Sequence, residues 1–85
     1  MIPLAANPAV TNPRKALSLG QRRALLAIRD YRRQVSTLSG VTIGPHRFDG
    51  LVITALERHG LIRGRIPNLT LTEAGQLAAS RLKEA

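Results

Sequence analysis

The chain has 85 residues, enough for one small domain, and it carries a single tyrosine and a single phenylalanine, so its core has to be built from Leu, Ile, Val and Ala. Thirteen Lys and Arg stand against five Asp and Glu, a net charge of +8, which points to a polyanionic partner and above all to nucleic acid. The lack of cysteine excludes disulfides and thiolate metal sites, no apolar run approaches the roughly 20 residues of a membrane span, and the N-terminus has no signal-peptide pattern, so a cytoplasmic protein is expected.

Residues 1–16 contain Pro3, Pro8 and Pro13, with Asn-Pro at 7–8 and 12–13, and end in Arg14-Lys15. Proline fixes φ, removes a donor and disfavours helix in the residue before it, so this segment is expected to be an extended, flexible, basic-ended tail ahead of a domain over 17–85. A first helix is predicted from Ser18, because Ser18-Leu19-Gly20-Gln21 matches a capping box. Ala24, Leu25, Ile28, Tyr31 and Val35 then share one face at helical spacing, and Arg22, Arg29 and Arg33 form a stripe on the other, with Leu26 exposed among them. Gly40, Gly44 and Pro45 punctuate the stretch that follows, and β-branched Val41-Thr42-Ile43 lies within it. A short helix over 34–39 and a single short strand both remain open there.

A second helix is expected from about Pro45 to His59, with proline in the first turn. Phe48, Leu51, Val52, Ala55 and Leu56 make its buried stripe, and His46, Arg47, Gly50, Ile53, Thr54 and Glu57 face the other way. Gly60 stops this helix as a left-handed residue. Two short strands, 61–63 and 69–71, are joined by Gly64-Arg65-Ile66-Pro67-Asn68, whose Gly and Pro-Asn supply turn chemistry. Thr72 caps a last helix that buries Ala74, Leu77, Ala78 and Leu82, with Glu73 near its positive end.

The order helix, glycine, apolar pair, basic hairpin and Leu-Thr-x-x-Gly resembles the winged helix-turn-helix family, and most of all the second half of MarR-type transcriptional regulators. Leu56-Glu57-Arg58-His59-Gly60-Leu61-Ile62 and Leu71-Thr72-Glu73-Ala74-Gly75 carry the resemblance, which covers about residues 45–80. It implies a mainly α fold with a small β-hairpin, α+β in class, and a winged helix-turn-helix architecture. It also implies a DNA-binding transcriptional regulator, nucleoid-associated and dimeric on a two-fold site. Helix 45–59 would be the recognition helix in the major groove of double-stranded DNA, with His46, Arg47, Gly50 and Thr54 toward the bases. Arg63 and Arg65 would belong to a wing over 61–71, and Arg22, Arg23 and Arg58 would touch phosphates. The long flanking helices of MarR-type dimers have no counterpart in the chain, and 34–44 barely has room for the short helix that normally precedes the recognition helix.

No catalytic constellation is visible. His46 and His59 are thirteen residues apart without cysteine or clustered carboxylates to complete a metal site, and the acids are scattered rather than paired. No enzyme activity and no cofactor are expected. The alternatives to DNA reading are a protein-interaction or inhibitor module on the same scaffold, using Leu26 and Ile53 as contacts, and a duplex-RNA binder. The scarcity of aromatics argues against single-strand readers that stack bases.

Overall fold

A computed structural model describes residues 6–84. It contains helices α1 (Pro8–Thr11), α2 (Pro13–Ala16), α3 (Leu19–Asp30), α4 (Gly50–Arg58) and α5 (Glu73–Glu84), and strands β1 (Gln34–Thr37), β2 (Gly40–Ile43), β3 (His46–Phe48), β4 (Ile62–Arg63) and β5 (Thr70–Leu71). The fold is a small α+β assembly with an antiparallel meander ordered β1-β2-β3 and a separate β4-β5 hairpin. Among the described residues no helix is long and apolar enough to cross a membrane.

The N-terminal segment departs from the extended tail expected over 1–16; residues 1–5 lie outside the described part. Each Asn-Pro pair opens a one-turn helix instead of breaking one. Pro8 and Pro13 occupy first helical turns, where a missing N–H costs nothing and φ is already helical. Asn7 caps α1 by accepting from the Ala9 N–H, and its side-chain amide donates to the His59 carbonyl oxygen at 2.8 Å. Ala9, Val10 and Pro13 are buried. Arg81 donates to the Thr11 carbonyl at 3.2 Å and so ties α5 to the end of α1.

Helix α3 begins as expected, with both bonds of the Ser18–Gln21 capping box formed. It ends earlier, at Asp30. Ala24, Leu25, Ala27 and Ile28 are buried, whereas Tyr31 caps the C-terminus with 39% of its surface exposed and Val35 lies outward on β1. Leu26, expected to be exposed, is half-buried against the core.

Residues 34–48 form the meander: no helix forms over 34–39, and the strand alternative holds in kind, with two strands, β1 and β2, in place of one. Gln34 pairs with Ile43 and Thr37 with Gly40; Val41 pairs with Phe48 and Ile43 with His46. Gly44 and Pro45 therefore form a two-residue turn between strands, so Pro45 opens no helix. Helix α4 starts five residues later than expected, at Gly50, with the Asp49 carboxylate accepting from the Leu51 N–H at 2.9 Å. Its buried stripe is shifted too. Ile53 and Leu56 are buried and Val52 and Ala55 half-buried, while Leu51 is 75% exposed. The near-continuous run Leu51-Val52-Ile53 admits two stripes, and packing beside α3 selects the one containing Ile53.

The end of the chain follows the expectation closely. Gly60 has φ +74°, the left-handed geometry that ends a helix without a Cβ clash. Ile62 pairs with Leu71 and Arg63 with Thr70, and the Ile66–Pro67 peptide is cis. The Thr72 hydroxyl accepts from the Gly75 N–H at 3.1 Å and donates to the Gly60 carbonyl at 2.6 Å. A Cβ on Gly75 would overlap the Leu61 carbonyl oxygen, so the helix start is seated directly on the exit of α4. Ala74, Ala78 and Ala79 are buried on α5; Leu77, expected inside, is 40% exposed and Leu82 is half-buried. The core centres on Leu25, Ile43, Leu56 and Leu61, the largest fully buried side chains.

Candidate nucleic-acid interface

Eight of the nine residues singled out by sequence fall into three places, and Arg22 stands apart. On α4, Gly50, Thr54 and Arg58 are exposed. Residues 51, 54 and 58 share a helical face, so Leu51 accompanies Thr54 and Arg58 there. The Thr54 hydroxyl donates to the Gly50 carbonyl at 3.2 Å, which leaves its oxygen free to accept. Gly50 has no heavy atom within 4 Å of where a Cβ would stand, so nothing within the described residues requires a glycine there.

On the β4-β5 hairpin, Arg63 is in β4 opposite Thr70 and Arg65 is in the loop, both exposed. The Arg65 carbonyl accepts from the Asn68 N–H at 2.6 Å and closes the loop tip. The hairpin is anchored from outside by Gln34, whose side chain bonds the Leu69 backbone.

His46 and Arg47 are not at the start of a helix. They lie on β3, because the strand pairing of β2 with β3 takes residues 46–48. Together with Arg23 of α3 they border a surface cleft of about 370 Å³ between α3 and β3. Arg22, the remaining phosphate candidate, is half-buried, and its Nε is buried without a hydrogen-bond partner among the described residues.

Sequence reasoning missed the aromatic side of this cleft. His46 and Phe48, two residues apart on a strand, share one face. The His46 ring lies 6.3 Å from Phe48 and 5.6 Å from Tyr31, the latter edge-on at 65°. The chain's only tyrosine and only phenylalanine thus meet in one row. A strand reading of 46–48 after Gly44-Pro45 would have shown the His46–Phe48 pairing, but nothing local brings Tyr31 to it.

A second, larger groove of about 780 Å³ runs between the end of α3, the hairpin and α5, with Arg29, Arg32 and Lys83 on its walls. Tyr31 borders both hollows. The acidic group of this region is Asp30, held 2.9 Å from Arg29. The bond from Arg29 keeps its carboxyl below the ordinary value, against a weaker opposing effect of burial, so it is an anion already matched by a cation. By contrast Arg23, Arg47, Arg58, Arg63 and Arg65 are exposed and form no ion pair among the described residues.

Comparison of the chain with family models, with curated proteins and with solved structures returned no match.

Proposed function

We propose that the protein binds double-stranded DNA as a small regulator, with α4 as the recognition element and the β4-β5 hairpin as a wing. The observation that carries this reading is the set of five exposed arginines, Arg23, Arg47, Arg58, Arg63 and Arg65, that form no ion pair among the described residues. A net charge of +8, to which these groups contribute, repels itself in the free protein and is relieved by phosphates. In this reading Gly50, Thr54 and Arg58 approach base edges or the adjoining backbone, and Arg63 and Arg65 contact phosphates. The order α4, left-handed Gly60, hairpin and capped α5 supports the winged-helix part of the proposal. The meander stands where that family has a short helix, so the approach of α4 to a groove would be framed by β3 instead.

The test is a gel shift on duplex DNA across a salt series. Binding that weakens steeply with salt is expected, and replacing Arg58, Arg63 or Arg65 with Ala lowers the salt slope by about 1 each. Duplex that stays unbound at low salt refutes the proposal. Duplex RNA competing as well as duplex DNA would transfer the reading to RNA.

A second reading, a protein-interaction module, draws on Leu38 and Leu51, both largely solvent-exposed. Leu26 and Ile53, the contacts expected from sequence, are half-buried and buried and do not serve it. Sedimentation of the wild type and of Leu51→Ser separates the two readings. A dimer lost on substitution, with DNA binding retained, assigns the α4 face to self-association.

A further inference from the structure

We propose that the cleft between α3 and β3 binds single-stranded nucleic acid, with a base stacked on Tyr31 beside the edge-on His46 and with Arg23 and Arg47 on the flanking phosphates. This goes beyond the duplex reading, which uses α4 and the hairpin.

The scarcity of aromatics speaks against base stacking in the sequence, but their placement speaks for it, because the two the chain has are gathered with His46 in one row. Core packing accounts for Phe48, which is half-buried against the apolar cluster. It does not account for the other two. His46 is exposed, and Tyr31 keeps 39% of its surface in solvent. Tyr31 is nevertheless held in place. Its N–H donates to the Ala27 carbonyl at 2.8 Å, and its ring lies against the backbone of Gly44, where φ is +59° and a Cβ would overlap the ring. An exposed, preset ring loses little entropy when a base stacks on it, and such stacking contributes about 1–3 kcal/mol per base without regard to sequence.

The charges around the ring suit a strand rather than a lone base. Arg23 and Arg47 border the cleft on one side of Tyr31, and Arg32 and Lys83, with Arg29 engaged by Asp30, line the groove on the other. A backbone crossing at Tyr31 has cations at both ends of its path. Asp30, the carboxylate on this path, is neutralised by its bond to Arg29. A duplex keeps its bases stacked inside and offers no free ring face to Tyr31, so the cleft distinguishes single from double strands.

The absence of tryptophan and of any second tyrosine makes Tyr31 the sole emitter when tyrosine is excited selectively over Phe48. Titration with a short oligothymidylate, corrected for absorption, is expected to quench that emission to saturation, whereas duplex DNA of equal length leaves it largely unchanged. By anisotropy of a labelled oligonucleotide, Tyr31→Leu is expected to weaken single-strand binding about thirtyfold, at the middle of the stacking range, and Tyr31→Phe to restore it. Arg63→Ala with Arg65→Ala weakens duplex binding and leaves the oligonucleotide affinity unchanged, so failure of the two proposals is distinguishable. An unquenched wild type overturns the assignment whatever the variants do. So does a folded Tyr31→Leu protein that binds as the wild type, or quenching that duplex produces equally.

Discussion

The side-chain amide of Gln34 bonds the Leu69 backbone on both sides, donating from Nε2 to the carbonyl at 2.9 Å and accepting at Oε1 from the N–H at 2.8 Å. A glutamine here does what a paired strand would do, joining the first strand of the meander to the hairpin loop across 35 residues of sequence. Gln34 and Leu69 are both buried, so the two backbone groups have no water to fall back on. Gln34→Ala is expected to destabilise the fold by about 2–4 kcal/mol, the cost of leaving a buried donor and acceptor unmade. Urea unfolding checks this, and a loss below about 0.5 kcal/mol would mean the loop finds other partners.

The junction between α4 and α5 makes a sharper demand. The Gly75 Cα faces the Leu61 carbonyl, and the Thr72 hydroxyl bridges the Gly75 N–H and the Gly60 carbonyl. Gly75→Ala must push α5 off the hairpin and is expected to cost about 3 kcal/mol, at the upper end for overpacking. Thr72→Ala loses a cap and a tie and should cost about 1–2 kcal/mol, while Thr72→Ser stays near the wild type. Thermal melts of the three variants rank these effects.

This junction was legible in sequence because every signal for it is local: a stop glycine, turn residues, a capping threonine. The Ser18–Gln21 box was legible for the same reason. The meander was not, because Val41-Thr42-Ile43 becomes a strand through partners at 34–37 and 46–48 that single-residue preferences do not announce. That pairing removed His46 and Arg47 from the expected recognition helix and brought them to Tyr31 instead. The basic character of the site was visible in the charge count, and its geometry was not.

Asn-Pro was the other misleading signal, and it yields a prediction about the N-terminus. Asn7 is buried, caps α1 and holds the His59 carbonyl at the end of α4. Asn7→Ala removes a cap and leaves that carbonyl without its donor, so a loss of about 1–2 kcal/mol is expected. Deleting residues 1–16 should cost more, because it also uncovers the apolar surface beneath Ala9 and Val10. A truncated protein with unchanged denaturant midpoint would return the segment to the status of a tail.

Gly50 separates stability from binding. Its backbone is not left-handed and a Cβ there would meet open space, so the fold gives no reason for glycine at the start of α4. Alanine is the better helix former by up to about 1 kcal/mol in a helix interior and by less in a first turn. Gly50→Ala is therefore expected to be as stable as the wild type or slightly more so. If DNA lies against this face, the added methyl sits between backbone and ligand and weakens duplex binding severalfold, while single-strand binding at Tyr31 is untouched. A stabilised variant with full duplex affinity would move the duplex contact off the N-terminal turn of α4 and leave Arg58, Arg63 and Arg65 as its carriers.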